Sequence, residues 1–167
     1  YTPEIRLSNS YKIGPAQNAI TVLSANQRRK IAPATIVTFA GESIGVIGAT
    51  TQIVSRISST GAVTVRGTTM DDMPLLASQI QPVVDQLRAR GINKIVLLSH
   101  LQQLANEKAL APLLSGVDII VAAGSHTLMA DADDVLEGDT QAEAYPFLTK
   151  DKDGGSTMIV STSSEYT

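Results

Sequence analysis

The chain of 167 residues contains no cysteine and no tryptophan. Without cysteine it has no disulfide framework, no thiolate zinc site and no cysteine nucleophile, whichever redox compartment it occupies. Positive charge is also scarce, because 13 Lys and Arg stand against 16 Asp and Glu. No basic field is therefore available to condense on nucleic acid or anionic lipid. Since no apolar run approaches the roughly 20 residues of a membrane helix, we expect neither a nucleic-acid polymer nor a membrane as partner.

What the chain does have is 43% apolar residues and a length that suits one hydrophobic core. A chain of this size buries roughly 70% of its unfolded surface, so we expect a single domain over residues 1–167. It begins with Tyr1 rather than Met, which suggests processing or a segment of a longer protein. Residues 1–34 lack periodicity and are expected to form an irregular lead-in.

The first half of the chain predicts a β-hairpin. The β-branched runs at 35–39 and 43–47 flank Gly41, which is a typical turn residue, so the hairpin is expected near residues 35–47. A short strand is also predicted at 63–65, inside a loop rich in Gly, Ser and Thr.

The second half alternates between helical and strand patterns. Asp71 and Asp72 can cap a helix whose apolar residues recur at steps of three and four and which ends near Gly91. An apolar strand at 94–99, expected to be buried on both faces, precedes a helix at 101–114 and a strand at 117–123. This is a βαβ unit near residues 94–123, and a last strand is predicted at 157–161. The fold class is therefore α/β.

Only two histidines are present, and each follows the carboxyl end of a predicted strand. In an open α/β sheet, ligands gather outside that end of the strands, so His100 and His126 are expected at one edge. Imidazole is both the commonest metal ligand and the commonest general base near neutral pH. The competing interpretation is that each is an ordinary surface or loop residue.

Other candidate sites are weaker. Gly45 and Gly48 precede no helix that could bind a phosphate, which argues against a dinucleotide loop. The acidic residues 131–134 lack the Gly and Glu positions of a calcium loop. Ser99 cannot act with His100 as part of a serine triad, because adjacent strand residues point to opposite faces. We therefore assign no catalytic residue.

The segments 95–101, 106–111, 116–121 and 124–127, which include Leu-Leu-Ser-His and Gly-Ser-His-Thr, resemble a known family. They are similar to the later part of the calcineurin-like metallophosphoesterase domain, in its 5′-nucleotidase and secreted alkaline phosphatase branch. Residues 44–51 resemble the Val-Gly-Ile-Ile-Gly-Leu-Thr-Thr strand of that branch, and 159–166 resemble the strand that closes the domain. The resemblance covers residues 35–167.

The resemblance implies part of a four-layer αββα sandwich and two divalent metal ions (Mn, Zn, Mg or Ca) that activate water against a phosphate ester. His100 matches the ligand that ends the Leu-Leu-Ser-His segment, and His126 matches the second His of a Gly-His-Ser-His motif. Gly124 stands where the family has the first His of that motif. The secreted phosphatases with Gly-Gly-Ser-x-Thr at this point are similar in this respect.

The family's front motifs, Asp-x-His, Gly-Asp and Gly-Asn-His-Glu, do not occur in this sequence. Two His residues cannot hold a dinuclear centre, so we interpret the chain as the C-terminal portion of a larger metallophosphatase domain and expect it to be inactive alone. The resemblance implies that the intact parent hydrolyses small phosphate esters such as nucleotides and is periplasmic or extracellular.

Two alternatives remain open. The chain could be a noncatalytic α/β binding or interaction module that keeps the scaffold, or a doubly wound domain with an apolar pocket for a small molecule. A half-domain also exposes unpaired strand edges and an apolar face, so we expect self-association.

Overall fold

A computed structural model describes residues 32–61, 70–131, 133 and 140–162, together with the backbone of 12–13 and 20–21. The predicted strand at 63–65 and most of residues 1–34 lie outside the described residues, as do most of residues 132–139. The strands in the described part are β1 Lys12–Ile13, β2 Ile20–Thr21, β3 Ala34–Phe39, β4 Glu42–Thr50, β5 Ile95–His100, β6 Ile119–Ala123, β7 Met129–Ala130, β8 Glu143–Ala144, β9 Phe147–Lys150 and β10 Ser156–Val160. The helices there are α1 Val54–Ile57, α2 Met73–Ala89 and α3 Leu104–Leu110.

Eight of these strands form one mixed sheet in the order β2-β1-β3-β4-β5-β6-β10-β9. The predicted hairpin is confirmed as β3 and β4, whose turn has positive φ at Ala40 and Gly41. The centre of the sheet is parallel, with β4, β5, β6 and β10 side by side. The predicted βαβ unit is confirmed as β5, α3 and β6.

Helix α2 begins as the sequence predicts. The side chain of Asp72 accepts a hydrogen bond from the backbone N–H of Leu75 at 2.9 Å, which satisfies one of the free donors of the first turn. Pro82 lies inside the helix, where it lacks the N–H for one backbone bond. The buried residues of α2 lie at steps of three and four and cover the sheet: Met73, Leu76, Ala77, Ile80, Val83, Val84 and Leu87.

Both crossover helices pack on the same face of the sheet and touch each other. On β5 the residues that face them are buried, and Leu97 is fully so. On the opposite face, Leu98 is 45% exposed and Leu148 of β9 is 65% exposed. The expectation that β5 is buried on both faces is therefore wrong, because α2 and α3 cover only one face. Within the described residues α2 and α3 leave the opposite face uncovered, whereas a doubly wound sheet has helices on both sides.

Several boundaries differ from the prediction. Helix α3 begins at Leu104 rather than Leu101 and gives way to a 3₁₀ turn at Ala111–Leu113. The delay arises because Gln102 has a φ of 71°, which an α-helix cannot contain. Strand β4 continues to Thr50, since it pairs with β5 as far as His100. The elements β1, β2, α1, β7, β8 and β9 were not predicted, as they are short and lack a periodic pattern. Strands β1 and β2 lie within residues 1–34, which were expected to be irregular.

Candidate functional site at the carboxyl edge of the sheet

Both histidines lie at the carboxyl edge of the parallel strands. His100 is the last residue of β5 and pairs with Thr50 of β4 on one side and Ala123 of β6 on the other. His126 follows β6 by three residues, and both side chains are exposed. The sheet thus brings the two predicted site residues to one edge, on adjacent strands, as the sequence predicts. Ser99 points to the helix-covered face and is buried, which also agrees with the prediction.

Gly124 packs directly against the imidazole of His100. A Cβ atom at position 124 would lie 2.7 Å from both Cδ2 and Nε2 of His100 and 3.2 Å from the Cα of Gln102. The φ of Gly124 is +93°, a conformation that side chains other than glycine rarely adopt. A side chain at position 124 would therefore strain the backbone and displace the His100 ring, which is exposed and can turn away.

A group of polar side chains lies behind His100. The hydroxyl of Thr51 donates to Asp71 at 2.8 Å, and the amide of Asn106 donates to the other carboxylate oxygen of Asp71 at 3.1 Å. The same amide donates to the backbone carbonyl of Leu101 at 2.9 Å. The N–H of Thr51 donates to the carbonyl of His100 at 2.9 Å. Hydrogen bonds thus hold two consecutive backbone carbonyls, those of His100 and Leu101.

Glu107 is the buried ionisable group of this region. Its side chain is fully buried, and its Oε1 accepts a hydrogen bond from the Ser99 hydroxyl at 2.9 Å. Its other oxygen has no hydrogen-bond partner among the described residues. Burial raises the pKa of Glu107, and the hydrogen bond from Ser99 opposes that shift in part.

Two residues of the edge have strained backbones. Gln102 has a φ of 71° and His126 a φ of 55°, although neither is glycine. Such conformations cost about 1–3 kcal/mol each and are common at functional sites, where the surrounding structure holds them in place. Both strained residues lie within three positions of the ends of β5 and β6.

The described residues do not by themselves form the two-metal centre that the family resemblance implies. Within them, no group of three or more His, Cys, Asp or Glu side chains is placed so that it could hold a metal ion. His100 and His126 could supply two imidazole ligands, whereas zinc sites in proteins have three or four protein ligands. These residues therefore support no reaction step through a metal on their own.

Sequence reasoning missed the polar group behind His100. It assigned Asp71 only a capping role, but the cap of α2 is Asp72 alone. Asn106 and Asp71 are 35 residues apart in the chain and meet only in the folded protein. The one hint in the sequence was Asp71 itself, an acidic residue that directly precedes Asp72, although Asp72 alone suffices as the N-cap of α2.

No family model matches the chain. Among curated proteins, the 5′-nucleotidase of Mus musculus is 29% identical over 128 residues, which are 77% of this chain and 21% of the mouse protein. Snake venom 5′-nucleotidase of Gloydius brevicauda is 27% identical over 154 residues, which cover 83% of this chain and 24% of that protein. The chain thus spans about a quarter or less of the length of these relatives.

Among solved structures, the 5′-nucleotidase precursor of Thermus thermophilus superposes with a TM-score of 0.70 at 28% identity. The match covers 93% of this chain and 27% of the Thermus chain. The resemblance to the 5′-nucleotidases is confirmed. The chain has the α/β fold of a part of the 5′-nucleotidase metallophosphoesterase domain. In the described part, no helix is both long and apolar enough to cross a membrane.

Proposed function

We propose that this chain is a portion of a metal-dependent phosphomonoesterase of the 5′-nucleotidase type, with residues 1–167 belonging to one larger metallophosphatase domain. The observation that carries the proposal is the placement of His100 and His126 at the carboxyl ends of β5 and β6, in a fold shared with the Thermus 5′-nucleotidase precursor. In this proposal the two histidines are metal ligands, and the remaining ligands come from outside this chain.

The substrate class follows from the relatives. The mouse and snake venom proteins are both named 5′-nucleotidases, so small phosphate esters of nucleotides are the expected substrates of the longer protein. A venom protein and a precursor among the relatives favour a periplasmic or extracellular location for that protein. The chain alone is expected to be inactive, because two imidazoles do not complete a metal centre.

The test is hydrolysis of a generic phosphomonoester with Mn²⁺, Zn²⁺ or Mg²⁺, measured on the 167-residue chain and on the longer gene product that contains it. We expect activity that depends on divalent metal in the longer product and none above background in the chain. Metal-independent activity in the chain, or inactivity of both proteins with every metal, would contradict the proposal.

The second candidate function is a noncatalytic binding module that keeps the scaffold. Gly124 favours it, because the family resemblance places a metal-ligating histidine at that position and glycine has no side chain that could bind a metal. The two candidates differ in metal affinity. A noncatalytic module would show no Mn²⁺ or Zn²⁺ binding by calorimetry in the longer product, whereas a phosphatase requires it.

We also propose that the isolated chain associates with itself. Leu98, Leu148 and Phe39 are 45%, 65% and 74% exposed, and alternation along the strands places all three on the face away from α2 and α3. An exposed apolar face of a sheet favours association. Light scattering at increasing concentration should show oligomers, and a monomer at the highest concentration would count against this proposal.

A further inference from the structure

Next to His100, a group of three side chains and one backbone carbonyl forms hydrogen bonds between parts of the chain that are distant in sequence. We name this group the rim clasp: Thr51, Asp71, Asn106 and the carbonyl of Leu101. Asp71 accepts from Thr51 at 2.8 Å and from Asn106 at 3.1 Å, and Asn106 also donates to Leu101 at 2.9 Å. The rim clasp thus joins the end of β4, the residue before the cap of α2 and the first turns of α3.

The rim clasp acts on a backbone segment that is strained. The φ angle of Gln102 is 71°, and φ describes rotation next to the peptide bond that joins Leu101 to Gln102. Asn106 holds the carbonyl of that same peptide bond. Strained backbones persist only where the surrounding structure over-determines them. The hydrogen bond from Asn106 is therefore placed where it can fix the unusual conformation.

The carbonyl of the preceding peptide bond, that of His100, is also held by a residue of the rim clasp. The N–H of Thr51 donates to the carbonyl of His100 at 2.9 Å, while the Thr51 hydroxyl binds Asp71. Consecutive carbonyls, those of His100 and Leu101, are thus fixed by residues of the rim clasp. The backbone of Gln102 and the imidazole of His100 both lie against Gly124, so movement of this segment would move the ring.

We propose that Asp71 and Asn106 are positioning residues, which fix the backbone at Leu101 and Gln102 and thereby the orientation of the His100 imidazole over Gly124. That this ring must be oriented rests on the proposed function, in which His100 binds a metal. The hydrogen bonds of the rim clasp lie within this chain and do not depend on the proposed function. Neither Asp71 nor Asn106 is assigned a contact with substrate or metal.

The experiment compares two variants of the 167-residue chain by NMR and thermal unfolding. Asn106→Ala removes two bonds of the rim clasp. The matched control is Gln81→Ala, because the amide of Gln81 likewise binds backbone, accepting from the N–H of Ser115 at 2.8 Å and donating to its carbonyl at 3.1 Å. Gln81 acts near the amino end of β6, at the opposite edge of the sheet.

We expect both variants to lower Tm. Only Asn106→Ala should alter the HN–Hα coupling and Cα shift of Gln102, which report φ, and displace the imidazole resonances of His100. The proposal is overturned if these signals of Gln102 and His100 are unchanged in folded Asn106→Ala, or if they move equally in Gln81→Ala.

If Asn106→Ala does not fold, Asp71→Ala takes its place, because it removes the acceptor of both Thr51 and Asn106, and Asp71→Asn is the conservative variant. The alanine variant should displace the Gln102 and His100 signals, and the asparagine variant, whose side-chain oxygen can still accept, should keep them nearer their original values. Unchanged signals in folded Asp71→Ala would overturn the proposal. Since no metal or substrate is present, a failure of the proposed phosphatase activity would leave these results unaffected.

Discussion

The two edges of the parallel sheet differ in which residue types adopt a positive φ angle. At the amino edge, the turns that lead into β5, β6 and β10 have positive φ at Gly91, Gly116 and Gly154, where glycine adopts that conformation at little steric cost. At the carboxyl edge, positive φ occurs at Gly124 and also at two residues other than glycine, Gln102 and His126. Ala40, in the β3–β4 turn that leads into β4 at the amino edge, is the third such residue in the described part of the chain.

The carboxyl edge thus has two residues other than glycine with positive φ, and the amino edge has one, Ala40 beside Gly41 in a two-residue hairpin turn. Non-glycine residues with positive φ raise the energy of the folded state and persist when other contacts hold them. For Gln102 those contacts are the rim clasp and the close approach to Gly124. Ligands of open α/β sheets bind at the carboxyl edge, so the strain coincides with the proposed site.

The largest expected effect is that of Gly124→Ala, compared with Gly154→Ala. Both glycines have positive φ, +93° and +86°, but a Cβ at position 154 would have nothing within 4 Å. Gly154→Ala should therefore cost only the backbone term, about 1 kcal/mol. Gly124→Ala also places a Cβ 3.2 Å from the Cα of Gln102 and forces the exposed His100 ring to turn, and should cost about 2 kcal/mol. Urea unfolding measures both, and equal costs would contradict the packing described for His100.

A smaller effect is expected at the amino edge from Asp151→Ala. Backbone N–H groups of Gly116, Asp153 and Gly155 donate to this carboxylate at 3.0, 3.0 and 2.6 Å. Their loss should reduce the free energy of unfolding by about 1–2 kcal/mol at pH 7. Asp151 joins the β9–β10 turn to the turn before β6, so the signals of His100 at the far edge should not change.

The pH dependence of that effect follows from the pKa of Asp151, which is lowered from its ordinary value of 3.8 chiefly by the hydrogen bond from Gly116. A carboxyl with a lowered pKa in the folded state stabilises it above the unfolded pKa. The stabilisation is lost as pH falls through the folded pKa. The stability difference between the wild type and Asp151→Ala should therefore shrink below about pH 3.8, and a constant difference would contradict this account.

The smallest effect is expected from Glu107→Gln, and it has the opposite pH dependence. Burial raises the pKa of Glu107 above its ordinary value of 4.5, so the folded state binds the proton more tightly than the unfolded state does. This favours folding at low pH, and the advantage declines as pH rises above 4.5. Relative to the wild type, Glu107→Gln should gain stability over that range. Urea unfolding at several pH values tests this, and a relative loss would show that the Glu107 pKa is not raised.

The sequence predicted the elements that have a clear pattern. The stripe of α2 and the apolar runs of β5 and β6 were located to within a few residues, and both histidines were placed at the correct edge. The start of α3 was not, because the conformation of Gln102 depends on contacts that form only in the folded chain. The same holds for the pairing of Asp71 with Asn106, which joins residues 35 positions apart.

The open face of the sheet was also not predicted. The apolar run of β5 is typical of a strand covered on both sides. The sequence of β5 does not show whether other elements of this same chain pack on both of its faces. Within the described residues only one face is covered by α2 and α3. On the other face Leu98 and Leu148 remain exposed.

The measurement that tests the central claim most directly is metal-dependent phosphomonoester hydrolysis by the longer gene product carrying His100→Gln or His126→Gln. The control is Glu42→Gln, which affects only an exposed ion pair with Lys94 at the amino edge. We predict that each histidine variant loses most of its activity and binds metal more weakly, while Glu42→Gln remains active. Full activity in both histidine variants would contradict the claim that the carboxyl edge of this sheet is the functional site.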